Sequence, residues 1–254
     1  MSAWVGSLRL SICFLASLLS VASFKIAGMS IPWYAITAIF FITGATMLQN
    51  NWRDRYHDIK KGRVLAAQHQ KTFLALLLVF WLISCGLIFV AMAEGMNISI
   101  ALAVIALAGL IYSEVRRVPL APTLLVAFTF ASPALLPVVV GVKENNLWLL
   151  FLLVALMAFG REIITDMADE RIDNGYKWTI PLTVGSERAK IIAVAAVSMG
   201  LVIGAKISLM ILPVSVFMII GAITFIRSLT HKTCRFCIDI SGAAVILILI
   251  ALYS

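Results

Sequence analysis

The chain has 254 residues, of which 62% are hydrophobic and only 13% charged, and its mean hydropathy is +1.05. A soluble domain of that size would have too few polar side chains to cover its surface, so composition excludes that class and points to an all-α polytopic membrane protein. The net charge of +8 is not read as a nucleic-acid footprint, because its distribution follows membrane sidedness instead.

A bilayer core is crossed by roughly 17–25 apolar residues. In chain order, nine such segments lie near 8–28, 33–49, 72–93, 97–113, 120–140, 146–160, 188–206, 208–226 and 237–253. They predict nine transmembrane helices bundled around a central cavity, in one domain over 1–254. Only Arg9 stands as an early basic residue and no small-residue cleavage site follows, so the first helix is expected to be retained. With a cytoplasmic N-terminus, every one of the 20 Lys and Arg residues except Lys25, Lys143 and Lys206 falls on the cytoplasmic side. That asymmetry is what the positive-inside rule expects. It opens the cavity to the cytoplasmic face and leaves the C-terminus outside. Cys13, Cys85, Cys234 and Cys237 lie within helices or near the cytoplasmic face, which argues against a disulfide framework.

Connections on the outer side are short, whereas two cytoplasmic ones, about 50–71 and 161–187, hold most of the ionisable residues. In the first, QNNWRDRYHD, Asn50, Asp54 and Asp58 stand at i, i+4 and i+8. On a helix turning about 100° per residue they span roughly 80° and form one stripe. In the second, REIITDMADERID, Asp166, Asp169 and Asp173 cover about 60° of one face. Carboxylates so crowded repel one another and are expensive to ionise in a partly dry site. Bound Mg²⁺ relieves both penalties, takes oxygen ligands and bridges to phosphate. The bland alternative is a set of solvated charges paired with Arg53, Arg55, Arg161 and Arg171. Two stripes on one membrane face favour the metal reading.

These residues resemble a known family. NNWRDRYHD is similar to the first aspartate-rich motif, N-D-x-x-D-x-x-x-D, of the UbiA family of intramembrane prenyltransferases. REIITDMADERID resembles the second, R-E-x-x-x-D-x-x-D-x-x-x-D, and Lys177-Trp-Thr-Ile-Pro181-Leu-Thr-Val-Gly185 resembles the T-L-P-x-x-x-G run after it. The R-E-I-x-x-D wording looks closest to the archaeal-type branch that prenylates glycerol-phosphate ethers. The resemblance implies a polyprenyl diphosphate held through Mg²⁺ between the motifs and a lipophilic acceptor, with membrane lipid around the bundle and no obligate protein partner. Asn50, Asp54 and Asp58 would take the first-motif role as metal ligands, and Asp166, Asp169 and Asp173 the second. Tyr112 and Arg116, in YSEVRR, look like the tyrosine and basic residue after the fourth helix, with arginine in place of the usual lysine. Arginine still serves a phosphate, with better bidentate geometry. Asn51 stands where aspartate is usual, the early L-R-P-x-N signature keeps only Arg9, and Pro119-Leu-Ala-Pro122 replaces a Gly-Asn. These departures bear on acceptor recognition.

Diphosphate leaves readily only if its developing charge is neutralised, and metal with fixed cations would do this. Arg9, Lys61, Arg116, Arg117, Arg161 and Lys177 are the expected cations, and Asp54 and Asp58 the expected proton acceptors. Trp33, Phe40, Phe41, Tyr112 and Phe159 could line an apolar groove for the prenyl tail and face the carbocation, although for all of them except Tyr112 lipid contact or helix packing is the favoured role. His57 is expected on another helix face and His69 in a solvated loop. His231, Cys234 and Cys237 offer three ligands where structural zinc takes four. A terpene cyclase on the same scaffold and a cation transporter remain the competing readings.

Overall fold

The computed structural model describes residues 9–214 and 231–254, and all regular structure among them is helical. The predicted segment 208–226 lies largely outside the described residues. Among the described residues there are eight long helices: α1 (Leu10–Ile26), α2 (Trp33–Arg53), α3 (Gln70–Glu94), α4 (Met96–Tyr112), α5 (Ala121–Ala131), α6 (Asn145–Asp173), α7 (Ser186–Ile207) and α8 (His231–Leu252). By length and composition alone, five helical stretches among the described residues can cross a membrane: Gln70–Glu94, Ala121–Val139, Asn145–Asp173, Ser186–Ile207 and Thr233–Leu252. Leu10–Ile26 and Met96–Tyr112 are shorter apolar helices. Large apolar side chains such as Leu82 and Phe89, each 70% exposed, cover the outer faces, as lipid contact requires and water would penalise.

Local chemistry sets the helix ends. Gly28, at φ 63, closes α1 by donating to Lys25 O (2.9 Å), while Met29 N–H reaches back to Phe24 O (3.0 Å). A left-handed residue at this point is what lets both orphan carbonyls be satisfied. The side chain of Glu144 accepts from Asn146 N–H at the start of α6. The segment after α5 is broken: Ser132–Leu135 is a 3₁₀ turn and Leu136–Val139 a single α turn. Pro133 and Pro137 lack the N–H donors that a continuous helix needs. On α1, Ser23 Oγ donates to Pro133 O at 3.2 Å and to Ser20 O at 2.8 Å.

The apolar interior has two main bodies. One gathers α5, α6, α7 and α8 with the Leu19–Ile26 end of α1 around Leu150, Leu153 and Ile163. The other joins α1, α2, α3 and α4 around Phe24, Ile39 and Leu102. Helix α1 belongs to both, and Phe130 packs against both. Small residues bring α6 onto α7: a Cβ at Gly160 would lie 2.8 Å from Ala193 O, and one at Gly200 would lie 3.1 Å from Leu153 O. Close backbone approach of this kind drives helix association where lipid removes the hydrophobic incentive.

Candidate functional site

A cavity of about 420 Å³ runs between these bodies, lined by α1, α2, α5, α6 and α8 and by the connections after α2, α4 and α6. Its polar end lies where α1, α5 and α8 begin and α2, α4 and α6 end. Twelve of the thirteen motif and cation residues expected there from sequence line it, Arg117 being the exception: Asn50, Asp54 and Asp58; Asp166, Asp169 and Asp173; Arg9, Lys61 and Tyr112; Arg116, Arg161 and Lys177.

The first acidic segment reaches the cavity by a route that helical periodicity does not describe. Helix α2 stops at Arg53 and Asp54 is its C-cap. The Arg55 guanidinium folds back to donate to Trp52 O at 2.8 Å and lies 4.2 Å from the Trp52 ring centroid, capping the exposed carbonyl. Asp58 then opens a 3₁₀ turn, Asp58–Lys61, which Gly62 closes at φ 72. The expected i, i+4, i+8 helical stripe is therefore incorrect. Asn50 arrives on the helix, Asp54 at its end and Asp58 after a turn. The same turn overturns the expected outward placement of His57. Its Nε2 lies 2.9 Å from Asp173 Oδ1, and its ring stacks on Tyr176 with centroids 3.7 Å apart and planes 9° from parallel.

The second acidic segment does ride one continuous helix, because α6 runs for 29 residues before stopping at Asp173. Asp166 and Asp173 are 3% and 0% exposed. Such burial is tolerable only with compensating charge. Lys177 Nζ lies 2.6 Å from Asp166 Oδ1 and 3.2 Å from Asp173 Oδ2, and Lys61 Nζ lies 2.9 Å from Asp169 and 2.7 Å from Asp173. Arg63 stands 3.8 Å from both Asp58 and Asp169. Arg116 pairs with Asp54, whose Oδ1 also accepts from Tyr176 Oη at 2.7 Å. Arg161 is held by Asp239 of α8 at 2.5 and 3.2 Å. The end of α4 at Tyr112 and the turn carrying Arg116 are pinned by Gln49, which donates to Leu110 O and Ser113 Oγ, and by Trp178 N–H, which donates to Arg116 O at 2.9 Å.

Burial raises the Asp58 carboxyl above its ordinary value, against the pull of Arg63 and Lys61. Burial works to lower the Lys177 ammonium, but Asp166 and Glu162 outweigh it and the net direction is up. Burial and the hydrogen bond to Asp54 push the Tyr176 phenol to about 12, so it remains a donor at neutral pH. The Arg9 guanidinium hydrogen-bonds Met47 Sδ at 3.8 Å.

The donor set suits a hard divalent cation. It consists of carboxylate oxygens with one amide, and the buried Asp173 Oδ2 lacks a well-formed hydrogen bond despite the nearby Lys177 Nζ. No three acidic, His or Cys side chains among the described residues converge into a ready cage. That pattern disfavours a site made of protein alone and fits an ion that completes its shell with water and phosphate oxygens.

Beyond Arg9 and Glu162 the walls become apolar, with Leu15, Val126, Phe130, Val154, Met157 and Ile246. From Asp173 to Leu153 along α6 the cavity extends roughly 30 Å at the helical rise. Of the aromatics weighed for this groove, all but Tyr112 take the packing or outward-facing role. Trp33 is 65% exposed beside Tyr34. Phe40 and Phe41 join Phe14 and Phe80 in an edge-to-face row, and Phe159 packs into the core around α6. These side chains sit on faces turned from the cavity, and Arg117 is exposed outside it. Tyr112 does line the wall. Glu162, Tyr176, Trp178 and Asp239 are cavity residues that sequence reasoning did not select. Asp239 carried a usable signal, as an ionisable residue inside an apolar span. Cys234 is buried and Cys237 partly so, and both are free thiols; the side chain of His231 lies outside the described residues.

A helical membrane bundle whose cavity joins a charged mouth to a long apolar arm is built to hold an amphiphile with an anionic head. The chain belongs to the UbiA prenyltransferase family, which its sequence matches over residues 10–237; it is a multi-pass membrane enzyme of the prenyltransferase class. No curated protein matches it. Among solved structures it is similar to digeranylgeranylglyceryl phosphate synthase, at 16% identity and a TM-score of 0.69, covering 98% of this chain and 96% of that one. A UbiA homolog from Aeropyrum pernix K1 matches at 14% identity and a TM-score of 0.71, over 94% and 98% of the two chains. A UbiA homolog from Archaeoglobus fulgidus, bound to GPP and Mg²⁺, matches at 16% identity and a TM-score of 0.65, over 99% of each.

Proposed function

We propose that this chain catalyses Mg²⁺-dependent transfer of a prenyl group from a polyprenyl diphosphate to a lipophilic acceptor within the membrane. The acceptor would be an aromatic, a quinone precursor or a glycerol-phosphate ether lipid. The observation that carries this reading is a cavity in which the five motif aspartates and a ring of Lys and Arg side chains lead into an apolar arm. The A. fulgidus relatives bound to GPP or DMAPP with Mg²⁺ support the same substrate class.

Asn50, Asp54, Asp58, Asp166, Asp169 and Asp173 are the proposed metal-holding residues, and bound Mg²⁺ would neutralise charge as diphosphate departs. Arg9, Lys61, Arg116 and Lys177 would bind phosphate oxygens, the last three moving from carboxylate to phosphate as the head group enters. Tyr112, at the junction of the polar and apolar walls, would face the reacting carbon. The bond between the allylic carbon and the diphosphate oxygen breaks with its electron pair on the oxygen. The acceptor nucleophile then attacks the allylic cation and loses its proton. Asp58 is the proposed proton acceptor, since burial already biases it toward the neutral form. The apolar arm would hold the tail and keep water from the cation.

We further propose one domain over 1–254, nine transmembrane helices, a cytoplasmic N-terminus and active site, and an outer C-terminus. The Lys and Arg distribution supports that orientation. Purified protein in detergent, given radiolabelled prenyl diphosphates of graded length with lipid acceptors, should release diphosphate only with Mg²⁺ present. No release at any chain length would overturn the reading.

A further inference from the structure

We propose that His57 and Tyr176 form a reciprocal clasp that positions Asp54 and Asp173 and holds the two acidic segments against each other. This inference rests on the function proposed above. Each aromatic comes from one segment and bonds the other segment's aspartate. His57, from the first, meets Asp173 at 2.9 Å; Tyr176, from the second, donates to Asp54 at 2.7 Å. The two rings stack at 3.7 Å, which links four side chains in a row, Asp173, His57, Tyr176 and Asp54, across the polar mouth. Asp173 as a carboxylate can only accept, so His57 presents Nε2–H to it.

His57 is absent from the cavity wall and its side chain is 9% exposed. It therefore acts behind the wall, through Asp173, as a positioning residue. Tyr176 lines the cavity, and it also meets Arg116, so the clasp fixes the partner cation of Asp54 as well. A carboxylate that accepts several bonds from fixed donors has few rotamers left, and groups behind metal ligands typically change affinity by about 10–100-fold. The clasp exists because α2 ends at Arg53; a helix continued through residue 57 would aim this imidazole elsewhere.

The test compares His57→Ala, His57→Gln, Tyr176→Phe and His57→Ala/Tyr176→Phe with the wild type. Hydrogen exchange is followed in the metal-free detergent-solubilised protein, and Mn²⁺ binding with inorganic pyrophosphate by electron paramagnetic resonance. His57→Ala and Tyr176→Phe should each speed exchange in both 54–61 and 173–178. Each should weaken Mn²⁺ about tenfold, with the double variant close to either single one. His57→Gln keeps a donor near the Nε2 position and should stay within about threefold of wild type.

Unchanged exchange and Mn²⁺ binding in Tyr176→Phe, loosening confined to the altered segment, or independent effects in the double variant would each overturn the clasp. If His57→Ala does not fold, Tyr176→Phe and His57→Gln decide, since both keep the bulk of the packing. A wild type that binds Mn²⁺ and shows the expected changes, yet releases diphosphate from no prenyl substrate, sinks the proposed function and leaves the clasp standing. A wild type that turns over normally beside unaffected variants does the reverse.

Discussion

At the residue scale, the site is a balance of buried charges, and removing one member exposes its partners. Asp54→Ala and Asp166→Ala should each lower turnover at least about 100-fold, as loss of a group that stabilises departing charge does, while circular dichroism stays that of the wild type. Asp58 responds to pH in a defined direction. Its folded-state pKa is raised by burial, so its ionisation disfavours the folded form, and that penalty is present at neutral pH. Acidification through the raised pKa toward the ordinary carboxylate range relieves it, while removing the charged form that holds metal. Asp58→Asn should therefore raise the melting temperature of the metal-free protein at neutral pH by about 1–3 °C and flatten its acid dependence. A melting temperature that falls would contradict the sign. The motif aspartates were legible from sequence because carboxylates at the ends of apolar segments need a reason to be there. The inward turn of His57 was not, because it depends on Arg55 capping Trp52 O, a side-chain choice that spacing does not encode. Tyr176 was hidden too, since its role needs Asp54 and His57 brought to it by the fold.

Among the elements, α6 carries most of the architecture: it bears the second acidic segment and packs on α1, α5, α7 and α8. Its apolar length was readable, and its extension through Asp173 follows from a run without Gly or Pro after Gly160. The break after α5 was harder to read, because the predicted segment 120–140 looks continuous by hydropathy alone; Pro133 and Pro137 were the signal. Gly160 sits where α6 meets α7, with the carbonyl of Ala193 only 2.8 Å from the position a Cβ would take. A backbone atom cannot rotate aside. Gly160→Leu should thus push the helices apart and cost about 3 kcal/mol or more, seen as a melting temperature lower by roughly 6–12 °C. A melt within 2 °C of wild type would show that the seam can yield.

For the whole molecule, the gathering of ionisable groups at one end of the bundle gives the fold a sidedness that can be measured. In a background with all four native cysteines replaced, Lys60→Cys should react with an impermeant thiol reagent only in inverted vesicles. Lys143→Cys should react only in right-side-out cells, and the opposite pattern would reverse the proposed topology. The hydroxyl of Ser23 has a consequence at this same scale. The carbonyl oxygen of Pro133 accepts from Leu136 N–H and also from Ser23 Oγ of α1, the helix shared by both interior bodies. This buried hydroxyl thus adds a polar tie between α1 and the broken segment after α5, at a place closed to solvent. Ser23→Ala should weaken the folded protein by about 1 kcal/mol with turnover per folded molecule unaltered, so its damage would surface as scarcity of enzyme rather than sluggish chemistry.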